Sequence, residues 1–138
     1  MTRSQAITWS VVAWVAVWAF WLVTTREYHA TGPLAAIATT ALVVSYAAAA
    51  YVNQLVIVPK FLSDRRYGPY IAWLLAVMFA FTGIALAVLR LFYVKILGPF
   101  PVRPWYVDYE LDLFGMVVHV IAAAVVVWVF GRWTRGGA

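Results

Sequence analysis

The sequence predicts an all-α integral membrane protein: four transmembrane helices in an antiparallel up-down bundle, with both termini in the cytoplasm. Three observations carry that expectation. Of 138 residues, 66% are hydrophobic and only 11% are charged, against roughly 25% charged in a soluble domain, so there is too little polar surface for water. The mean hydropathy of +0.89 agrees. Four segments reach the length of about 20 apolar residues that crosses a bilayer core, and Gly-Pro breaks separate them.

The first span is residues 5–25, Gln5 to Thr25. Its apolar run exceeds a signal-peptide core and ends in TTREYHATGP without a small-residue cleavage site, so a retained helix is expected. Trp14, Trp18 and Trp21 recur at i, i+4 and i+7, which puts them on one helix face. Trp9 and Trp21 also lie near the two ends, where interfacial aromatics belong. The stripe is expected to face lipid. Alternatively its indole N–H groups meet another protein, a lipid headgroup or a bound pigment.

The second span, 34–58, is opened by Gly32-Pro33 and closed by Pro59. It is rich in small residues: Ala35, Ala36, Ala38, Ala41, Ser45 and the run Ala47–Ala50. Such residues let helices approach closely where lipid offers no hydrophobic gain. The bundle should use part of this surface and leave part for an external partner.

Gly68-Pro69 opens the third span, 70–93, and Gly98-Pro99 with Pro101 and Pro104 ends it. Arg90 lies within or just beyond this span and is expected to snorkel outward. The connection LGPFPVRPWYVDYELD is read as the one long non-helical segment. Its Phe100, Trp105, Tyr106 and Tyr109 suit the headgroup level, or a docking surface for a membrane or periplasmic partner. The fourth span is 111–130. Asp108, Glu110 and Asp112 at its start favour the positive end of the helix dipole, and Asp112 could pair with Arg103 at the surface. Short connections make neighbouring helices antiparallel.

Basic residues set the orientation. Arg3, Lys60, Arg65, Arg66, Arg132 and Arg135 fall on one side; Arg26, Arg90, Lys95 and Arg103 fall on the other. The richer side is assigned to the cytoplasm of a bacterial inner or intracytoplasmic membrane, which the chain crosses several times. The net charge of +5 then meets anionic lipid, and no nucleic-acid partner is expected.

Much chemistry is excluded. With no cysteine, disulfides, thiolate metal sites and cysteine nucleophiles are impossible. The spans offer no paired carboxylates for acid–base catalysis. Ser45, Asn53 and Thr82 are too few and too scattered for a proton or ion path. A non-enzymatic protein is expected.

The stretch Tyr51 to Tyr70, YVNQLVIVPKFLSDRRYGPY, resembles the four-span membrane sensor module of LytS-type histidine kinases. The positions that carry the resemblance are Tyr51, Asn53, Pro59, Phe61, Leu62, Arg65, Arg66, Tyr67 and Tyr70. The resemblance implies a membrane module that passes a signal to a cytoplasmic partner. The sequence contains no Gly-rich nucleotide loop, and a module lacking the kinase is expected.

The second candidate is His119, the single histidine in FGMVVHVIAAAVVVW. It falls about 12 Å into the fourth span, and an ionisable group at that depth is a functional candidate. Gly115 precedes it by four residues, Ala122 and Ala123 follow, and Trp128 lies nine residues on. Residues 114–128 resemble the membrane helix of bacterial light-harvesting antenna polypeptides. The resemblance implies His119 as a ligand to bacteriochlorophyll magnesium, Gly115 as clearance for the macrocycle and Trp128 as a donor to the pigment. The alternative is a neutral histidine that ties helices together, with Ser45, Tyr46, Thr82 or Asn53 as its partner. The only other histidine, His29, lies in the first outer loop, which argues against a bis-histidine haem.

These features converge on a non-catalytic accessory subunit of a larger membrane complex. Its expected partners are integral membrane proteins, such as reaction-centre and antenna polypeptides of a photosynthetic core, together with lipids. Bacteriochlorophyll, a carotenoid or a bound lipid are the conceivable cofactors. A stand-alone sensor module is the alternative.

Overall fold

The computed structural model describes residues 3–62, 64–97 and 105–135. Helix α1 covers Arg3–Thr25 and is followed by a single 3-10 turn, Arg26–Tyr28. Helix α2 covers Gly32–Val52 and continues as a π-helical segment, Asn53–Leu62. Helices α3, Tyr67–Leu97, and α4, Trp105–Arg135, are each 31 residues long. Among the described residues there is no strand. Among the described residues, three stretches are long and apolar enough to cross a membrane: Ile7–Tyr28, Gly32–Leu62 and Tyr67–Leu97. In α4 the described apolar stretch is Asp112–Val126.

Local chemistry explains most of the boundaries. The Thr31 side chain accepts a hydrogen bond from the Leu34 backbone N–H, 3.4 Å away, and Pro33 sits in the first turn. An N-cap oxygen and a proline with no N–H to leave unpaired are what the start of α2 requires. Pro69 occupies the first turn of α3 for the same reason.

Pro59 does not end the second helix, contrary to the expectation from sequence. It lies inside the π-helical segment, and the chain stays helical to Leu62. A proline ring clashes with the carbonyl four residues back in an α-helix. Widening the turn to the π form relieves that clash without stopping the helix. The stop comes three residues later. The Arg66 N–H reaches the Phe61 carbonyl at 2.8 Å and the Arg65 N–H reaches Leu62 at 3.1 Å, the paired bonds of a Schellman closure. Arg65 takes the left-handed conformation there, φ 58°, a position usually left to glycine because a side chain costs about 1–2 kcal/mol. Lys60 and Arg66 both lie over the Phe61 ring, at 5.3 and 5.9 Å from its centroid, and so anchor the closing turn.

The second boundary that differs is the start of α4. Residues 105–110, read from sequence as irregular chain, are the first turns of that helix. Pro104 precedes them. Proline is tolerated just before and within a first helical turn, so it marks a helix start here as readily as a loop. Helix α3 likewise extends beyond its expected limits at both ends, to Tyr67 and Leu97, and α4 continues past Phe130 to Arg135.

Helix α2 is the hub, packing against α1, α3 and α4. Its small residues make that possible: Ala35, Ala38, Ser45, Ala49 and Ala50 are all buried. Most of the small-residue surface is therefore used inside the bundle, more than the sequence suggested. The core is the cluster of Tyr46, Ala49, Met78, Met116 and Val120, with Trp14, Leu42, Leu74, Val77, Phe81, Leu113 and Val117 packed against it. Met116→Ala should therefore lower stability by about 2–5 kcal/mol, whereas Val23→Ala, at a residue 78% exposed, should change it by less than about 0.5 kcal/mol. Thermal unfolding of the two variants in one detergent makes the comparison.

Candidate functional site

The tryptophan stripe of α1 turns inward, which corrects the expectation of a lipid-facing face. Trp14 packs on the core cluster. The Trp18 indole N–H donates to the Thr40 hydroxyl of α2 at 3.0 Å. That hydroxyl in turn donates to the Ala36 carbonyl at 2.7 Å. Trp21, which the sequence placed in the interfacial belt, donates its indole N–H to Nε2 of His119 at 3.0 Å. In hydrocarbon an indole N–H needs an acceptor, and the bundle supplies one to each of these two.

His119 stands at the meeting point of three helices. Its ring stacks on Tyr46 of α2, centroids 4.7 Å apart and planes 23° apart. The Trp21 ring of α1 lies 5.8 Å away at 45°. Its Nδ1 is 2.7 Å from the Gly115 carbonyl, one turn back on α4. Because an indole can only donate, Nε2 must be the acceptor, and the ring proton sits on Nδ1 and is donated to Gly115. Both nitrogens of the neutral ring are thus engaged.

Gly115 has a physical requirement of its own. A Cβ built at this position would stand 2.6 Å from the Tyr46 hydroxyl and 3.3 Å from Cζ. The missing side chain is what lets Tyr46 lie flat against α4 and over the imidazole. The space that the antenna resemblance assigns to a macrocycle holds the Tyr46 ring. As arranged, the node does not fit a metal-ligated pigment: Nε2 is taken by Trp21 and the clearance by Tyr46. The Trp128 side chain lies outside the described residues, as do Arg103 and the side chain of Asp108, so the expected Arg103–Asp112 pair lies outside them too.

Of the partners proposed for His119 from sequence, Tyr46 is present and the other three are not. Ser45 donates to the Ala41 carbonyl within its own helix, at 2.8 Å. Thr82 Oγ1 and Asn53 Oδ1 are buried without a hydrogen-bond partner, as is Thr39 Oγ1. Sequence reasoning missed Trp21 because its distance along the chain, 98 residues, carries no signal. The only available hint was its place on the same face as Trp14 and Trp18.

A second polar contact joins the α1–α2 connection to the end of α3. His29 Nδ1 hydrogen-bonds the Tyr93 hydroxyl near the end of α3, and the rings lie 6.2 Å apart. Burial of the imidazole holds its pKa below the usual value of 6.5.

No family model, no curated protein and no solved structure matches this chain.

Two expectations follow. Trp21→Phe removes the donor to Nε2 and should cost about 1 kcal/mol, and 15N NMR of His119 should show the Nε2 signal shift while the proton stays on Nδ1. An unchanged Nε2 shift would contradict the hydrogen bond. For His29, a folded pKa below the unfolded one means that the unfolded chain takes up the proton first as pH falls. Its contribution to stability is complete above pH about 6.5 and is lost in acid. The unfolding midpoint should therefore fall between about pH 7 and pH 5, with a smaller fall in His29→Gln.

Proposed function

We propose that this chain is a non-catalytic accessory subunit of a larger membrane protein complex, seated among other integral membrane proteins and bridging or stabilising them. The observation that carries the reading is the outer face of α1. No residue in its spanning window is buried, and Ile7, Trp9, Val15, Phe20 and Val23 are all exposed. With Trp14, Trp18 and Trp21 turned inward, α1 leans on the bundle by one stripe only. The remaining surface is large, apolar and aromatic towards both ends, which suits contact with another protein's helices as well as lipid.

In this reading His119 is first an internal tie that holds α1, α2 and α4 in one arrangement, so that the outer faces are presented rigidly. The four helices alternate up and down and both termini face the cytoplasm. Lys60, Arg65 and Arg66 mark that side, and a bacterial inner or intracytoplasmic membrane is the setting. Among host complexes, a photosynthetic reaction centre with its antenna ring is the one to test first, on the strength of the antenna-like residues 114–128. A pigment ligated at His119 would have to displace the Trp21 indole and move Tyr46, so the subunit role does not depend on bound bacteriochlorophyll or carotenoid.

A second reading, a stand-alone sensor or signal-transmitting module, is favoured by one observation. Four of the residues that resemble the LytS-type sensor, Asn53, Pro59, Phe61 and Leu62, fall on the π-helical segment Asn53–Leu62, where Asn53 Oδ1 is buried without a partner. π-turns inside helices concentrate at functional sites, and a segment of irregular register could respond to a ligand.

One experiment separates the two. The chain is tagged, native membranes are solubilised gently, and the co-purifying proteins and absorption spectrum are recorded. Stoichiometric integral membrane partners are expected, with near-infrared bands if the host is photosynthetic. A kinase or response regulator as the sole companion supports the sensor, and a chain that purifies alone sinks the subunit reading. Where pigment is present, His119→Leu should leave the pigment count unchanged if the histidine is only a tie.

A further inference from the structure

Between α2 and α3 a shallow groove of about 430 Å³ runs along the outside of the bundle. Ala36, Thr40, Ala41 and Val44 of α2 line one side, and Val88 and Phe92 of α3 the other. Its one polar group, the Thr40 hydroxyl, already accepts from Trp18 and donates to Ala36. The groove therefore offers hydrocarbon surface and no unmet hydrogen bond, and its natural occupant is an aliphatic chain. From Ala36 to Val44 it runs about 12 Å along the axis, close to one leaflet's half of the roughly 30 Å hydrocarbon core.

One end of the groove is charged. Val88, Phe92 and Lys95 lie at i, i+4 and i+7 on one face of α3, and Lys95 is exposed just beyond the apolar lining. The contact between His29 and Tyr93 brings the α1–α2 connection to the same end, and that connection carries Arg26, also exposed. Glu27 is its exposed neighbour there. Arg90, two residues from Val88, belongs to another face of α3. Glu110 and Asp112 belong to α4, which packs on the Tyr46 side of α2. Tyr46 is two residues round from Val44, on the far side from the groove. Cations thus stand at the headgroup end of a slot that fits an acyl chain.

We infer that this groove is a binding site for one anionic phospholipid, its acyl chain lying between α2 and α3 and its phosphate held by Lys95 with support from Arg26. The charge complementarity separates this seat from ordinary lipid contact elsewhere on the surface. The subunit reading is not needed for it.

The test uses the full chain in nanodiscs of phosphatidylcholine with a minority of phosphatidylglycerol, followed by gentle release and native mass spectrometry of retained lipid. Wild type should keep one phosphatidylglycerol in preference to phosphatidylcholine. Lys95→Gln should lower that preference about fivefold, the effect of one basic residue near an anionic surface. Lys60→Gln, at the other end of the second helix, should leave it unchanged. Val44→Trp, which fills the groove, should reduce retention of both lipids. Retention indifferent to headgroup overturns the proposal. So does an equal loss in the two lysine variants, or a Val44→Trp protein that holds lipid as wild type does.

Discussion

The node at which His119 stacks on Tyr46 and accepts a hydrogen bond from Trp21 is the contact on which the arrangement of this bundle depends. Lipid gives helices no hydrophobic reason to associate, so specificity must come from close packing and from polar groups with few alternatives. Here one imidazole accepts from α1, stacks on α2 and donates back into α4. The contacts to α1 and α2 are available only when the three helices are in register. Gly115 is part of the same device, since any larger residue would hold Tyr46 away from the ring.

Around that node α2 acts as the common neighbour. A helix that touches three others needs a surface of small side chains, and the alanines and serine buried along it supply one. The cost is continuity. Pro59 would break an α-helix, and the π-helical turns and the left-handed Arg65 let the chain pass it and still stop cleanly. The irregular geometry sits at one end of the second helix, away from the histidine node, so the bundle tolerates it.

The sequence made the elements legible because hydrophobic length and Gly-Pro punctuation are local signals. Gly32-Pro33 and Gly68-Pro69 mark the starts of their helices within two residues of where the structure has them. Pro59 and Pro104 were harder, since proline both ends helices and begins them, and only the surrounding hydrogen bonds decide which. The tryptophan stripe shows the same limit. Its spacing shows that Trp14, Trp18 and Trp21 share a face, yet in a protein solvated by lipid an apolar face has no inherent inward direction.

By itself, then, the sequence determined that the chain is helical, that it carries at least three helices long and apolar enough to cross a membrane, where most of the helices begin, and that His119 lies deep in one of them. These follow from composition and short-range backbone chemistry. The tertiary structure alone decided which faces meet: that Trp21 rather than Ser45, Thr82 or Asn53 serves the histidine, that Tyr46 fills the space beside Gly115, and that α2 lies at the centre. Partners so far apart in the chain are selected by shape and by the need of each buried polar atom for a counterpart, and neither is written in the order of residues along one helix.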